Sequence, residues 1–278
     1  MTFLDHARAY GLIIKDLIDD GRWHRCPTED KPRKKNGAYL FDGHKGVVRN
    51  WATMEYFSRY PEKQEQAVKI DYDAMRKKRD RLDREQAERY AKAAQEAKKS
   101  IFEALPDRHP YLKAKGFPEA LGLVRNKLLM VPMRDYRDQR IVSLQTITES
   151  GEKRFLTGGR AKGAVFRIGK KFNSRKWLCE GYATGLSIKA ALDAMHDNAQ
   201  VWVCFSAGNL QYIAERVGGD RIIFADNDES GTGQRVARAT GLPWVMSPVL
   251  GEDANDFHQR AGVWELIRLM KSAAVLRI

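Results

Sequence analysis

The chain has 278 residues, 43% of them hydrophobic, and a formal net charge of +13. That is apolar content for one large domain or two to three small ones, and it excludes a disordered chain, while so basic a balance predicts a polyanionic partner. No apolar run approaches the ~18 residues of a membrane span, and three scattered cysteines, Cys26, Cys179 and Cys204, argue against a disulfide framework and for a reducing cytoplasm.

The N-terminal "MTFLDHARAYGLIIKDLIDDGRW" carries acids and no small-residue cleavage site, so it is not expected to be a secretory signal. Residues 1–60 open on an amphipathic helix pattern. They continue in short pieces rich in glycine, aromatic and basic residues, which predicts a small β-rich module. Residues 61–105 change to "DYDAMRKKRDRLDREQAERYAKAAQEAKKS", helix formers without glycine or proline and with a narrow apolar stripe, expected as a long exposed connecting helix. Residues 106–171 hold β-prone runs, "LLMVPMRD", "RIVSLQTI" and "KRFLTGGRAKGAVFRIG", in a second, basic β-containing unit. From 172 to 278, short apolar strands alternate with helix patterns: "KWLCEG", "TGLSIKAALDAM", "QVWVCFSAG", "NLQYIAERVG", "RIIFADND", "GQRVARATG", "PWVMSPV". This rhythm predicts a parallel sheet with right-handed crossovers, and the whole chain an α/β protein.

Ligands of such a sheet gather at the carboxyl ends of its strands. Glu180 follows "KWLC", Asp226 and Asp228 follow "RIIFA", and Asp253 and Asp256 lie in "GEDANDFH". Singly, such an acid is a helix cap as readily as a ligand. As a set, the carboxylates would repel one another unless a divalent cation neutralised them, and hard oxygen donors suit Mg²⁺ or Mn²⁺. The period-two spacing of Asp226 and Asp228 points both to one side of an extended segment, where they can share an ion. Asn at either position is therefore expected to leave the metal-free protein equally or more stable.

These acids resemble the motifs of the Toprim domain, the metal-binding catalytic fold of bacterial-type primases, topoisomerases and some nucleases. Glu180 in "CEGYATG" matches its glutamate, Asp226 and Asp228 in "ADND" match its D-x-D, and "EDAND" lies where primases carry a further acidic loop. Thr184 stands where cellular primases have another acid. The preceding "KRFL-x-GG" and "KG-x-x-F-x-IG" blocks resemble plasmid- and phage-encoded primases, in which a cationic surface faces the acidic pocket. Lys153, Arg154, Arg160 and Lys162 are the candidates for binding nucleotide or nucleic acid, and Gly158 and Gly159 either admit a phosphate or make a turn. The resemblance implies two Mg²⁺ or Mn²⁺ ions on Glu180, Asp226, Asp228, Asp253 and Asp256, with Glu180 either a ligand or a general base.

In the N-terminal module, His24, Cys26 and His44 stand where many primases bind zinc, yet they lack the close ligand pairs of a structural site, so no zinc is expected. "HRCPTEDKPRKKNGAYLFDG" resembles plasmid-borne relatives without the cysteine pairs, a zinc-less template-binding module. There Trp23, Arg25, Arg33, Lys34, Lys35, Tyr39 and Trp51 either clamp single-stranded DNA or, for the aromatics, fill the core. No G-x-x-x-x-G-K-S/T phosphate loop occurs in these residues, so unwinding is expected from a separate replicative helicase. The expectation is a cytoplasmic DNA primase that uses nucleoside triphosphates on single-stranded DNA for a plasmid, phage or mobile element. Its rivals are a Toprim strand-breaking nuclease and a non-catalytic single-strand-binding accessory protein.

Overall fold

In the computed structural model the described residues are 1–54, 57–61, 72–169 and 175–275. The start of the expected connecting helix, 62–71, and the expected boundary at 171/172 lie outside them. The chain divides into two compact units, Met1–Gln86 and Ala87–Ile278.

In the first unit, α1 (Phe3–Ala9) starts on a capping box: the Thr2 hydroxyl accepts from the Asp5 N–H at 3.2 Å, and the Asp5 carboxylate accepts from the Thr2 N–H at 2.9 Å. The helix is shorter than the amphipathic pattern because Gly11, at φ +71°, turns the chain out of it. Strands β1 (Trp23–Cys26), β2 (Gly37–Phe41), β3 (Gly46–Asn50) and β4 (Ser58–Tyr60) pair antiparallel in sequence order. Cys26, Tyr39 and Val48 on one face of this sheet pack against Phe3, Ala7 and Leu12.

Helix α2 (Tyr72–Phe102) runs across the unit boundary at Gln86. Its burial follows a helical stripe. Ala93 and Ala97 are buried, and Ala97 joins Ala104, Met130 and Leu144 in a core cluster, so the C-terminal part of the expected exposed connector is packed.

The second unit is built on one ten-stranded sheet. Its antiparallel part comprises β5 (Leu105–Asp107), β6 (Gly122–Arg125), β7 (Leu128–Asp135), β8 (Ile141–Ile147), β9 (Lys153–Phe155) and β10 (Ala164–Ile168), with α3 (Pro110–Ala114) between β5 and β6. Asn126 and Lys127, both at positive φ, make the two-residue hairpin turn between β6 and β7. Its parallel part runs β14 (Trp244–Val245), β13 (Arg221–Phe224), β11 (Lys176–Cys179), β12 (Gln200–Val203). Strand β10 joins the two parts, antiparallel both to β7 and to β12.

The strands of the parallel part are apolar on both faces because helices cover both. Trp177, Cys179, Val201, Val203, Ile222 and Phe224 pack toward α4 (Tyr182–Ala194), α7 (Ala254–Ala261) and α8 (Val263–Val275). Leu178, Trp202 and Ile223 pack toward α5 (Ala207–Ala214) and α6 (Thr232–Ala239). The chain leaves β11 for β12 on one side and returns to β13 on the other, so the order of connection reverses between β11 and β13. A crevice opens at such a reversal, outside the carboxyl ends of the two strands.

Candidate active site

Glu180 directly follows β11 and Asp226 lies two residues after β13, both at the mouth of that crevice. The Ala207 backbone N–H at the start of α5 favours the charged form of the Glu180 carboxyl. Burial, then the Asp228 charge, push it above the usual carboxylate range against the opposing pull of Lys153. Asp226 goes further. Burial, then the charges of Asp253 and Glu180, raise it to about 7, again against Lys153. Its Oδ1 is buried without a hydrogen-bond partner among the described residues. Glu180 and Asp226 also line a cavity of about 10 Å³ under α5 and α6, room for about one water molecule or ion.

Asp228 has the opposite surroundings. The Ser230 hydroxyl donates to it, and the first two N–H groups of α6, those of Thr232 and Gly233, donate at 3.2 and 3.1 Å; these bonds hold it below the usual carboxylate range. The pair at period-two spacing is thus split: Asp226 is short of partners and Asp228 is well supplied.

Asp253 caps α7, its Oδ1 accepting from the Asn255 and Asp256 N–H groups at 2.7 and 3.0 Å, and its Oδ2 accepts from the buried Thr184 hydroxyl at 2.9 Å. Asp256 completes the capping box and lies 3.3 Å from the Lys115 ammonium. The structure therefore brings Glu180, Asp226, Asp228 and Asp253 within reach of one another's charge, and directs Asp256 to Lys115.

The four candidate cations of the basic unit separate in the same way. Lys153 on β9 acts on both Glu180 and Asp226. Arg154, the next residue, is on the other side of the strand and pairs with Glu152 at 2.8 Å. Arg160 ion-pairs with Asp135, and the Lys162 ammonium stands 4.9 Å from the centre of the Tyr212 ring. Gly158 makes a turn at φ +77°, and Gly159 packs so closely on Ser143 that a Cβ would stand 2.1 Å from its hydroxyl oxygen.

Two supporting residues escape sequence reasoning. The buried Asn209 amide donates to the carbonyls of Ala164 and Cys204, each at 2.7 Å, and its oxygen accepts from the Gly163 N–H at 2.7 Å. It ties the start of β10 to the end of β12. Asn209→Ala strands three buried peptide groups, for an expected loss of about 3 kcal/mol; urea unfolding should show a lower midpoint at unchanged slope, and an unchanged midpoint would remove Asn209 from this role. Gly233, in the first turn of α6, abuts the Asp226 backbone: a Cβ there would lie 2.2 Å from its carbonyl oxygen. The G-T-G of "ESGTGQ" is the only trace of this in the sequence.

A Toprim family model matches residues 175–263, the stretch that holds Glu180, Asp226, Asp228 and Asp253. Residues 175–263 form a Toprim domain. Among solved structures, the chain is similar to the primase fragment of the bacteriophage T7 primase-helicase protein, at 18% identity and TM-score 0.40 over 58% of this chain and 68% of that one. It is similar to a DnaG catalytic core at 15% identity and TM-score 0.37, over 61% of this chain and 64% of that one. It is also similar to a chain of the bacteriophage T7 lagging-strand DNA polymerase complex with primase domains bound to an RNA/DNA hybrid and dTTP, at 16% identity and TM-score 0.38, over 52% of this chain and 76% of that one.

The Toprim carboxylates fit a hard divalent cation by donor type, by the unpartnered Asp226 oxygen and by the cavity it shares with Glu180. Among the described residues, no three histidine, cysteine or acidic side chains are grouped so as to hold an ion. Mg²⁺ does not need three, since it commonly takes one or two carboxylates and completes its octahedron with water and substrate phosphate.

In the first unit, His24 Nε2 lies 2.7 Å from an Asp20 carboxylate oxygen, Cys26 is a core residue whose thiol burial pushes up to about 11, and His44 is exposed. Tyr39 is also core, its hydroxyl donating to the Asp16 carbonyl. Trp23 and Trp51 remain at the surface, 47% and 41% exposed. The register puts Trp23, Arg25, Arg49 and Arg59 on the sheet face opposite the core. The Arg25 guanidinium lies 4.1 Å from the centre of the Trp51 ring, Arg49 lies 4.8 Å from that of Phe57, and Phe57 and Trp23 have ring centres 5.3 Å apart. Arg33, Lys34 and Lys35 stand exposed in the loop before β2.

Proposed function

We propose that this chain is a DNA primase, a metal-dependent nucleotidyltransferase that makes short primers on single-stranded DNA for a plasmid, phage or mobile element. The observation that carries the reading is Lys153. It belongs to the primase-like "KRFLTGG" block outside the Toprim match, and its charge acts on both Glu180 and Asp226.

Glu180 and Asp226 would hold one Mg²⁺ or Mn²⁺, and Asp228 and Asp253 carry the charge for a second. When bound, such ions neutralise the triphosphate and acidify the attacking 3′-hydroxyl. Lys153 orients the triphosphate of the incoming nucleotide as a point charge, and α5 and α6 direct their N-terminal N–H groups to Glu180 and Asp228, fixing both carboxylates before substrate arrives. In its alternative role Glu180 is the general base that takes the hydroxyl proton, its hold on a proton strengthened by burial. The test is template-dependent incorporation of labelled nucleoside triphosphates on single-stranded DNA, by wild type and Lys153→Ala. Synthesis by wild type and a loss of about 10²-fold or more in the variant are expected. Cleavage of supercoiled DNA with Mg²⁺ would establish the nuclease instead, and binding without synthesis the accessory protein.

The four-stranded sheet of the first unit would hold template without zinc, its exposed Trp23, Trp51 and Phe57 offering stacking surfaces and Arg33, Lys34 and Lys35 meeting phosphates. The other partner in this reading is a separate replicative helicase, and the site of action the cytoplasm; among the described residues no helix is long and apolar enough to cross a membrane. Affinity for single-stranded DNA should fall steeply with salt. Neutralising Lys31, Arg33, Lys34 and Lys35 together should shallow the log–log slope by roughly 0.7 for each DNA phosphate that then goes unpaired. An unchanged slope would leave those side chains as solvated surface, and one zinc bound per chain would overturn the zinc-less reading.

A further inference from the structure

Phe205, two residues beyond the end of β12, has a backbone at φ +68°, left-handed in a bulky residue, where glycine would be the unstrained choice. Such a conformation persists only where its surroundings impose it, and it is characteristic of functional sites. Here the site itself imposes it. The Phe205 N–H donates to the Glu180 carbonyl at 2.9 Å, the Cys204 N–H to the Cys179 carbonyl at 2.8 Å, and Ser206 must turn at once to cap α5.

The strain holds the Phe205 ring against β9. Its centre lies 6.2 Å from that of Phe155 with the planes at 82°, edge to face. Phe205 is nearly buried, at 8% exposure, whereas Phe155 is 46% exposed. Phe155 is two residues from Lys153, so both side chains leave the same face of β9, about 7 Å apart along the strand. That face is the one from which Lys153 acts on Glu180 and Asp226. Gln145 and Ile147, the partners of Phe155 and Lys153 on β8, lie beside them on the same face and are already buried. An aromatic surface left open there, buttressed from behind by a strained ring and one ribose-width from a phosphate-binding lysine, is placed to receive a planar base.

We propose that Phe155 is a stacking platform for the nucleobase of a nucleoside triphosphate whose phosphates meet Lys153 and the carboxylates, and that Phe205 positions it. The proposal deepens the nucleotidyl-transfer reading and rests on it for the identity of the ligand. Because every base has a π face, the platform accepts purines and pyrimidines alike. Base choice is left to the template.

The experiment compares Mn²⁺-dependent binding of ATP and of inorganic tripolyphosphate to the full chain by calorimetry, in wild type, Phe155→Ala, Phe155→Trp and Phe205→Gly. Wild type should prefer ATP. Phe155→Ala should weaken ATP about tenfold or more, the loss of one base stack, and leave tripolyphosphate unchanged, while Phe155→Trp retains ATP binding. Phe205→Gly removes the strain and so should melt no lower than wild type by more than its lost packing, yet it should weaken ATP selectively. Equal weakening of both ligands, no weakening, or a wild type that does not distinguish them would overturn the platform. Primer synthesis by wild type is read alongside. A platform intact without synthesis would sink only the primase reading, synthesis without an ATP preference would sink only the platform, and binding of neither ligand together with no synthesis would overturn both.

Discussion

Under the proposed function Asp226→Asn will abolish primer synthesis, and it will raise the melting temperature of the metal-free protein at pH 8. The folded-state pKa of about 7 stands above the ordinary 3.8, so the folded protein holds this proton more tightly than the unfolded chain does. That contribution is fully present below about pH 4 and is lost as pH rises through 7. At pH 8 the wild type therefore carries an unfavourable buried charge, on the order of 2–4 kcal/mol, that Asn does not. Mn²⁺ reverses the ranking: it stabilises wild type by about 2.7 kcal/mol at a hundred times its dissociation constant and the variant little. Wild-type affinity for Mn²⁺ should also climb about tenfold per pH unit up to 7, because the ligand must lose its proton first. Thermal melts at pH 5 and 8, with and without Mn²⁺, measure all of this. A variant that melts lower than wild type at pH 8 without metal, or that Mn²⁺ stabilises equally, would return Asp226 to a structural role.

Asp228→Asn should behave oppositely, which the period-two spacing alone does not reveal. Its folded pKa is lowered by the Ser230 hydroxyl and the α6 N–H groups, so its stabilisation is present above about pH 4 and lost as pH falls through the folded value. Removing the charge should cost about 0.3–1 kcal/mol in metal-free protein, the worth of a negative charge at a helix N-terminus. The expectation that either substitution spares the metal-free protein is thereby revised for Asp228: a carboxylate held by a helix N-terminus is stabilised whether or not an ion is present.

Gly233→Ala should be the most damaging change of a single methyl group in the Toprim domain. The added Cβ would lie 2.2 Å from the Asp226 carbonyl oxygen and 3.1 Å from its nitrogen and carbonyl carbon, all backbone, so no side chain can yield. Either α6 moves outward, drawing its N–H from Asp228, or the Asp226 loop moves and the crevice opens. Overpacking of this kind costs about 3 kcal/mol, or roughly 6–12 °C in a unit the size of Ala87–Ile278, and should take Mn²⁺ binding with it. Gly208→Ala in α5 is the control. Nothing lies within 4 Å of its added Cβ and its φ is ordinary, so the substitution should be neutral or slightly stabilising. Equal melting temperatures for the two variants would dismiss the close approach as unimportant.

Elements whose cause is local are legible in the residues alone. Apolar runs alternating with helical patterns from Trp177 onward specify a parallel sheet covered on both faces, and that architecture obliges Glu180, Asp226 and Asp253 to emerge at its carboxyl edge. Composition likewise makes residues 72–102 helical. What required the folded chain is which side chains share an environment, because burial and charge depend on neighbours far apart in sequence. Lys153 and Arg154 are adjacent and equally basic, yet the pleat sends one to the carboxylates and the other to Glu152. Asp226 and Asp228 lie two apart, yet only the second meets a helix N-terminus. Trp23 and Tyr39 are both aromatic strand residues, and register alone puts the first outside and the second in the core. Strand β10 belongs by composition to the basic unit, but its pairing of Phe166 with Val203 makes that unit and the Toprim domain one sheet. Backbone hydrogen bonds join whichever strands packing brings together, and they carry no mark of composition; this is why the seam that sets a lysine opposite the acids could be decided only in three dimensions.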